Sequence, residues 1–176
     1  MKSPISSAHS AANHVALNGT ETVDFYSSVE EELTCLRRGV VVSDNAHISV
    51  IRVAGEHAYD VVDRLLPCDL FLRDGQARQT LILSEQGVIE ADVTVACDDD
   101  AYWLFVDGLD AETVVGLLTE RRLENEQAEI ENASREHALI SVGGPFAWEL
   151  MGAFDSPGLA GLRYMTLAHL RSGCLC

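Results

Sequence analysis

The stretch that decides the fold is Thr80–Val95, TLILSEQGVIEADVTV. A short apolar run, Thr80–Leu83, meets the turn-forming Ser84–Gly87, and a strand of clear period two follows over Val88–Val95. This pattern predicts a β-hairpin whose second strand turns Ile89, Ala91, Val93 and Val95 one way and Glu90, Asp92 and Thr94 the other. Asp92 is thereby planted on the polar face of a strand. Beside Glu90 and Thr94 it reads as part of an ordinary solvent-facing row. Under a cover, the same carboxylate would accept a proton or orient an amine. The pattern leaves both readings open.

Working outward, Ser28-Val29-Glu30-Glu31 has capping-box spacing, and Val29, Leu33 and Leu36 continue at helical spacing, which predicts a helix over Ser28–Arg38. Val40–Val42 and Ile48–Val53 read as strands around a polar turn, Ser43–His47. After Gly55, the residues Ala58, Val61, Val62, Leu65 and Leu66 form an amphipathic helix that Pro67 ends. Tyr102–Val106 returns as a strand with one of Tyr102 and Trp103 on each face, and Asp110 caps a helix carrying Val114, Val115, Leu117 and Leu118. Glu126–Glu131 and Ala138–Val142 read as strands, Pro145 opens a helix through Trp148, and one more strand falls in Leu162–Leu170. Hairpins alternating with helices predict an α+β fold, with a mostly antiparallel sheet of hairpins covered by helices. The expected organisation is a flexible N-terminal segment over 1–22 and one domain over 23–176.

The chain has 176 residues, is 47% hydrophobic and carries a net charge of -16, so it can bury a core while repelling nucleic acid and anionic membrane surfaces. No apolar run is long enough for a transmembrane helix, and the N-terminus lacks the apolar core of a signal peptide. Five scattered cysteines, an odd number, point to reduced thiols and a cytoplasmic setting. Cys174-Leu175-Cys176 lacks the second ligand pair that structural zinc requires, so no metal is expected. The turn Asp44-Asn45-Ala46-His47 suits local backbone hydrogen bonding, and His47 could also face a ligand.

Taken in order, several segments resemble the aminomethyltransferase (glycine-cleavage T-protein) family of folate-binding proteins. LRRGVVVSDNAH, ending at His47, is similar to the family's run from an acidic helix through a strand into an Asp-x-Ser-His turn, with Ala46 at the serine. IRVAGEHAYDVVDRLLPCDL resembles its strand-Gly-helix segment, TLILSEQGVIEADVTV its folate hairpin, YWLFVDGLDAE the following strand, and ALISVGGPFAWELM a Gln-Gly-Pro helix start. The similarity covers Val23–Leu170. It implies tetrahydrofolate as cofactor, a lipoylated carrier protein as donor of an aminomethyl group, and Asp92 as the acid acting on the pterin-side amines. Phe105, Asp107 and His47 then fall at folate-binding positions. The family's first aspartate is Ala91, its tyrosine four residues beyond the acid is Ala96, and its pterin-facing asparagine is Asp107. The missing tyrosine predicts a missing aromatic wall.

The resemblance also predicts a truncated domain, because it stops short of a further folate-contacting glutamate and arginine. An unpaired sheet edge left by that truncation would favour a homodimer or swapping. Two functions therefore stay open: a one-carbon transferase of aminomethyltransferase type, and a non-catalytic folate- or partner-binding module with the same fold.

Overall fold

The computed structural model describes residues 2–9, 13–154, 159–170 and 173–176. The chain order is β1 (Asn13–Leu17), β2 (Thr20–Phe25), α1 (Val29–Arg38), β3 (Val41–Asp44), β4 (Ser49–Ala54), α2 (Ala58–Asp63), β5 (Gln76–Leu83), β6 (Ile89–Asp98), β7 (Ala101–Asp107), α3 (Ala111–Arg121), β8 (Glu129–Asn132), β9 (Ile140–Gly143) and α4 (Ala147–Phe154). The named strands pair antiparallel throughout, which with the helices makes the α+β fold expected from the hairpin pattern. They form three sheets rather than one: β1-β2, β3-β9, and a five-stranded sheet in the order β5-β6-β7-β4-β8. Among the described residues, no helix is long and apolar enough to cross a membrane.

The chain divides into two compact units, one built from Met1–His47, Ala138–Tyr164 and Ala168–Cys176, the other from Ile48–His137 and Met165–Leu167. The second unit holds the five-stranded sheet. One face of that sheet carries Ile51, Val53, Val93, Val95, Leu104 and Val106, and α2 and α3 close over it with Ala58, Val61, Val62, Val114 and Leu118. Full burial of such a side chain contributes roughly 1.5–3 kcal/mol, so this layer dominates the unit's stability. The alternation predicted for Val88–Val95 is the reason: Ala91, Val93 and Val95 are buried while Asp92 is exposed. Ile89, expected on the core side, is exposed at a register irregularity beside Leu83.

In the first unit, Asn18-Gly19 closes a tight hairpin between β1 and β2, with Leu17 opposite Thr20. Residues 1–22, expected to be flexible, therefore contain a paired strand and the start of its partner. The signal was present: an Asn-Gly pair as a two-residue loop between strand-like runs is a strong hairpin marker. Ser28 caps α1 as expected, its hydroxyl accepting the Glu31 N–H at 3.3 Å. The strands around Ser43–His47 do not pair with each other. β3 pairs instead with β9, Val42 opposite Val142, because the intervening residues carry the chain off into the other unit. The strand expected in Leu162–Leu170 is reduced to isolated bridges, Gln76 to Thr166 and His169 to Leu175. Among the described residues of this unit, Leu159 alone of the apolar side chains is buried. Val29, Leu33 and Leu36, spaced as a core-facing stripe on α1, are all exposed.

Two glycines of the second unit give opposite expectations. Gly55 has φ +108, and a Cβ there would lie 2.6 Å from the Gln127 carbonyl oxygen. Gly116 lies inside α3 with nothing near its would-be Cβ. In urea denaturation, Gly55→Ala is expected to lose at least about 2 kcal/mol, through backbone strain added to steric overlap. Gly116→Ala is expected to gain roughly 0.5–1 kcal/mol, because alanine loses less chain entropy in a helix.

Candidate functional site

The sheet face opposite α2 and α3 is built by the alternate residues of each strand. Cross-strand register fixes which side chains share it. One row sets Leu81 of β5, Asp92 of β6 and Asp107 of β7 side by side. The next holds Gln79, Thr94, Phe105 and Val50, and the one after it Ala77, Ala96, Trp103, Arg52 and Glu131. The face therefore runs from carboxylates, through a phenyl ring, to an indole beside a guanidinium.

Asp92 and Asp107 are both exposed and directly opposed. Opposed Cα atoms on antiparallel strands lie only ~4.5–5.5 Å apart, and like charges so placed destabilise the pair. The local chain path sets this up. β7 ends at Asp107 because Gly108 follows with φ +116, where a Cβ would sit 3.0 Å from the Glu90 carbonyl oxygen. Asp110 then starts α3, accepting the Thr113 N–H at 3.0 Å and the Thr113 hydroxyl at 2.7 Å. A strand and a helix thus bracket Asp107 and hold it against Asp92. Phe105, half-buried, lies one row along and opposite Thr94.

An indole of the neighbouring strand stands beside Ala96, the position where the resemblance predicts a missing aromatic wall. Trp103 lies directly opposite Ala96, which is fully buried. The His137 ring packs edge-on against Trp103 with centroids 5.3 Å apart, and the Arg52 guanidinium lies 5.9 Å from the indole centroid. Tyr102, on the opposite face, packs against the core and sends its hydroxyl toward the Leu70 carbonyl at 3.4 Å, so the pair divides between faces as its alternation predicted. Sequence reading named Asp92, Phe105 and Asp107 as site residues and Trp103 only as one of a pair split between two faces; Arg52 and His137 were given no role. Their signal was parity on strands whose register was not yet known.

His47 belongs to the first unit. It ends the turn after β3, where the Asp44 carboxylate accepts the Ala46 N–H at 3.1 Å and the His47 carbonyl accepts the Asn18 side-chain amide at 3.3 Å. Its Nδ1 is buried without a hydrogen-bond partner among the described residues. The register that joins Asp92, Asp107 and Phe105 does not involve it. Of the thiols, Cys97 is pushed up in pKa by burial first, then by Asp74, Asp100 and Asp98, which keeps it protonated and a poor nucleophile. The chemistry of the face is that of carboxylates beside flat apolar rings: accepting N–H groups, holding a proton, and stabilising positive charge.

Comparison with known proteins shows what the chain as a whole is similar to. The sequence profile described as GCVT N-terminal domain matches residues 6–174. An aminomethyltransferase of Streptomyces coelicolor is 30% identical over 163 residues, which are 87% of this chain and 43% of that protein. One from Thermotoga neapolitana is 30% identical over 86% of this chain and 44% of its own length. The crystal structure of glycine cleavage system aminomethyltransferase T from Bartonella henselae shares the fold at TM-score 0.79 and 22% identity, over 95% of this chain and 46% of that one. The chain thus spans less than half the length of these relatives.

The cap that sets Asp107 in place gives a pH signature. Hydrogen bonds from the Thr113 hydroxyl and then its backbone N–H hold the Asp110 carboxyl below its ordinary value. A pKa lower in the folded state means the cap's contribution is present above the unfolded value and lost as pH falls through the folded one. Asp110→Ala is expected to cost about 1 kcal/mol at neutral pH, and the difference from wild type should close on acidification. Urea midpoints from pH 7 down to the acid limit of the fold measure this.

Proposed function

Because the chain belongs to the GCVT N-terminal domain family, we propose that it binds tetrahydrofolate on the second face of the five-stranded sheet. There it supports one-carbon transfer of aminomethyltransferase type, with Asp92 as the working carboxylate. The observation that carries this reading is the register of Asp92 against Asp107. Two opposed carboxylates at the end of an aromatic-lined face offer acceptors to a ligand rich in N–H donors. Phe105 and Trp103 then offer flat apolar surface further along the same face.

The residues present fit the group. When bound, tetrahydrofolate supplies the amine nitrogens that receive the one-carbon unit. Asp92 accepts a hydrogen bond from such an N–H, holds the proton released as a new C–N bond forms, and stabilises positive charge on nitrogen. Asp107 adds a second acceptor where the family resemblance placed an amide. A lipoylated carrier protein is the partner this chemistry calls for, delivering the aminomethyl group whose nitrogen leaves as ammonia. A non-catalytic folate-binding module is the second reading, favoured by the exposure of Asp92. A solvated carboxylate lacks the desolvated, fixed setting in which electrostatic stabilisation is strongest.

Thermal unfolding with reduced folate tests both. At tenfold excess over Kd, tetrahydrofolate is expected to stabilise the chain by about 1.4 kcal/mol, a rise of roughly 3–6 °C in Tm for a chain of this size. No rise would sink both folate readings. In a transfer assay with lipoylated carrier, Asp92→Asn is expected to lower the rate ~100-fold or more while keeping most of the thermal shift. Transfer surviving that substitution would remove Asp92 from the chemistry.

A further inference from the structure

We propose that β5 is a docking edge for a second copy of this chain, the two β5 strands pairing antiparallel about a two-fold axis at Leu81. The inference goes beyond the folate reading and does not depend on it. β5 and β8 are the two edges of the five-stranded sheet. β8 is blunted in two ways common to edge strands: it has only four residues, and Glu129 and Glu131 are two of them. β5 has eight residues, and from Gln79 to Leu83 it carries neither a charge nor a proline.

The backbone of β5 is open along that window. In an antiparallel strand the N–H and C=O of one residue point to the same side, and the side alternates along the strand. The Ala77 N–H faces away from β6, donating to the Met165 carbonyl at 2.9 Å. The Ser84 N–H, seven residues on, faces the other way and donates to the Val88 carbonyl at 2.9 Å. Both ends fix one alternation, in which Gln79, Leu81 and Leu83 turn their N–H and C=O outward. Met165–Leu167 covers the strand only as far as Ala77, and the hairpin turn begins at Ser84. Among the described residues, no backbone partner closes the window between them.

The window is complementary to itself, and this commits the edge to a second copy. With the axis at Leu81, that residue meets Leu81 of the partner subunit, and Gln79 meets Leu83 of the partner subunit at either end. All three pairs join outward-facing residues, so each exchanges two N–H to C=O bonds and every open group is used. On the face toward α2 and α3, Thr80 stands opposite Ile82 of the partner subunit. No like charges are opposed, and Arg78, just outside the window, is held by Asp69 at 3.7 Å. A net charge of -16 repels a second copy, and an uncharged edge is where that repulsion is weakest. Exposed Val88 and Ile89 add apolar surface at the hairpin end. The axis runs normal to the sheet, so both second faces lie on one side. The row Asp107–Asp92–Leu81 then continues through Leu81 of the partner subunit to its own Asp92, ~14 Å from the first across three strand spacings. The flank of the candidate site that β5 leaves open is closed by the second copy.

Sedimentation equilibrium of the whole chain from about 1 to 500 µM tests this. A five-residue window makes a small contact, so a reversible dimer with Kd on the order of 10–100 µM is expected. Gln79→Pro removes an outward N–H without touching the β5–β6 ladder, and is expected to weaken the dimer about tenfold or more. Leu81→Lys and Leu81→Glu each set like charges across the axis and should weaken it similarly, whereas an equimolar mixture of the two should recover a dimer. Amide hydrogen exchange should slow at Gln79, Leu81 and Leu83 only at the higher concentrations. A chain that stays monomeric throughout the range overturns the proposal. So does a dimer that Gln79→Pro leaves unchanged, because its contact then lies elsewhere. If the Leu81 variants fail to recover on mixing, the axis is not at Leu81 and the pairing is wrong.

Discussion

The antiparallel pairing of β6 with β7 is the constraint on which the rest depends. It places Val93 against Val106 and Val95 against Leu104 on one face, and in the same stroke places Asp92 against Asp107 and Ala96 against Trp103 on the other. A strand has period two, so the residues that bury the core fix the residues that line the second face. Slipping the register by one residue would bury carboxylates and expose valines. The cost of that slip, several buried branched side chains and a desolvated acid, is what keeps the candidate site in place.

The two units differ in how they use apolar residues. In the second, the sheet and α2 and α3 enclose a continuous core. In the first, Val29, Leu33, Leu36, Phe146, Trp148 and Phe154 are exposed, and the strands pair as β1 with β2 and β3 with β9. Exposed apolar groups in such number mark surface suited to contact with other polypeptide.

The Asp92–Asp107 row and the Arg52–Trp103 row show how a polar face is composed from strands far apart in sequence. Arg52 and Glu131 are separated by most of the second unit, yet β4 lies between β7 and β8 and brings both Trp103 and Glu131 beside it. Ala96 is informative in the same way. As a single residue it reads as a lost aromatic. In the sheet it is the small, fully buried floor beside an indole contributed by the next strand.

Local chemistry made much of this legible. Alternation over Val88–Val95 fixed which residues of β6 are buried, Ser28 and Asp110 declared their helix starts, and the ordered segments carried the family. Those features depend on neighbours along the chain, which sequence states directly. The Asn18-Gly19 hairpin was equally local and equally readable. What tertiary structure alone decided was partnership: β3 with β9 rather than β4, Asp92 with Asp107, Trp103 with Ala96 and Arg52. Each such pairing joins residues from separate strands, and the pattern of one strand does not encode the register of the next. Sequence therefore determined that Asp92 sits on the polar face of a strand. The fold determined what stands beside it, because packing the apolar faces against α2 and α3 leaves only one register for the other side.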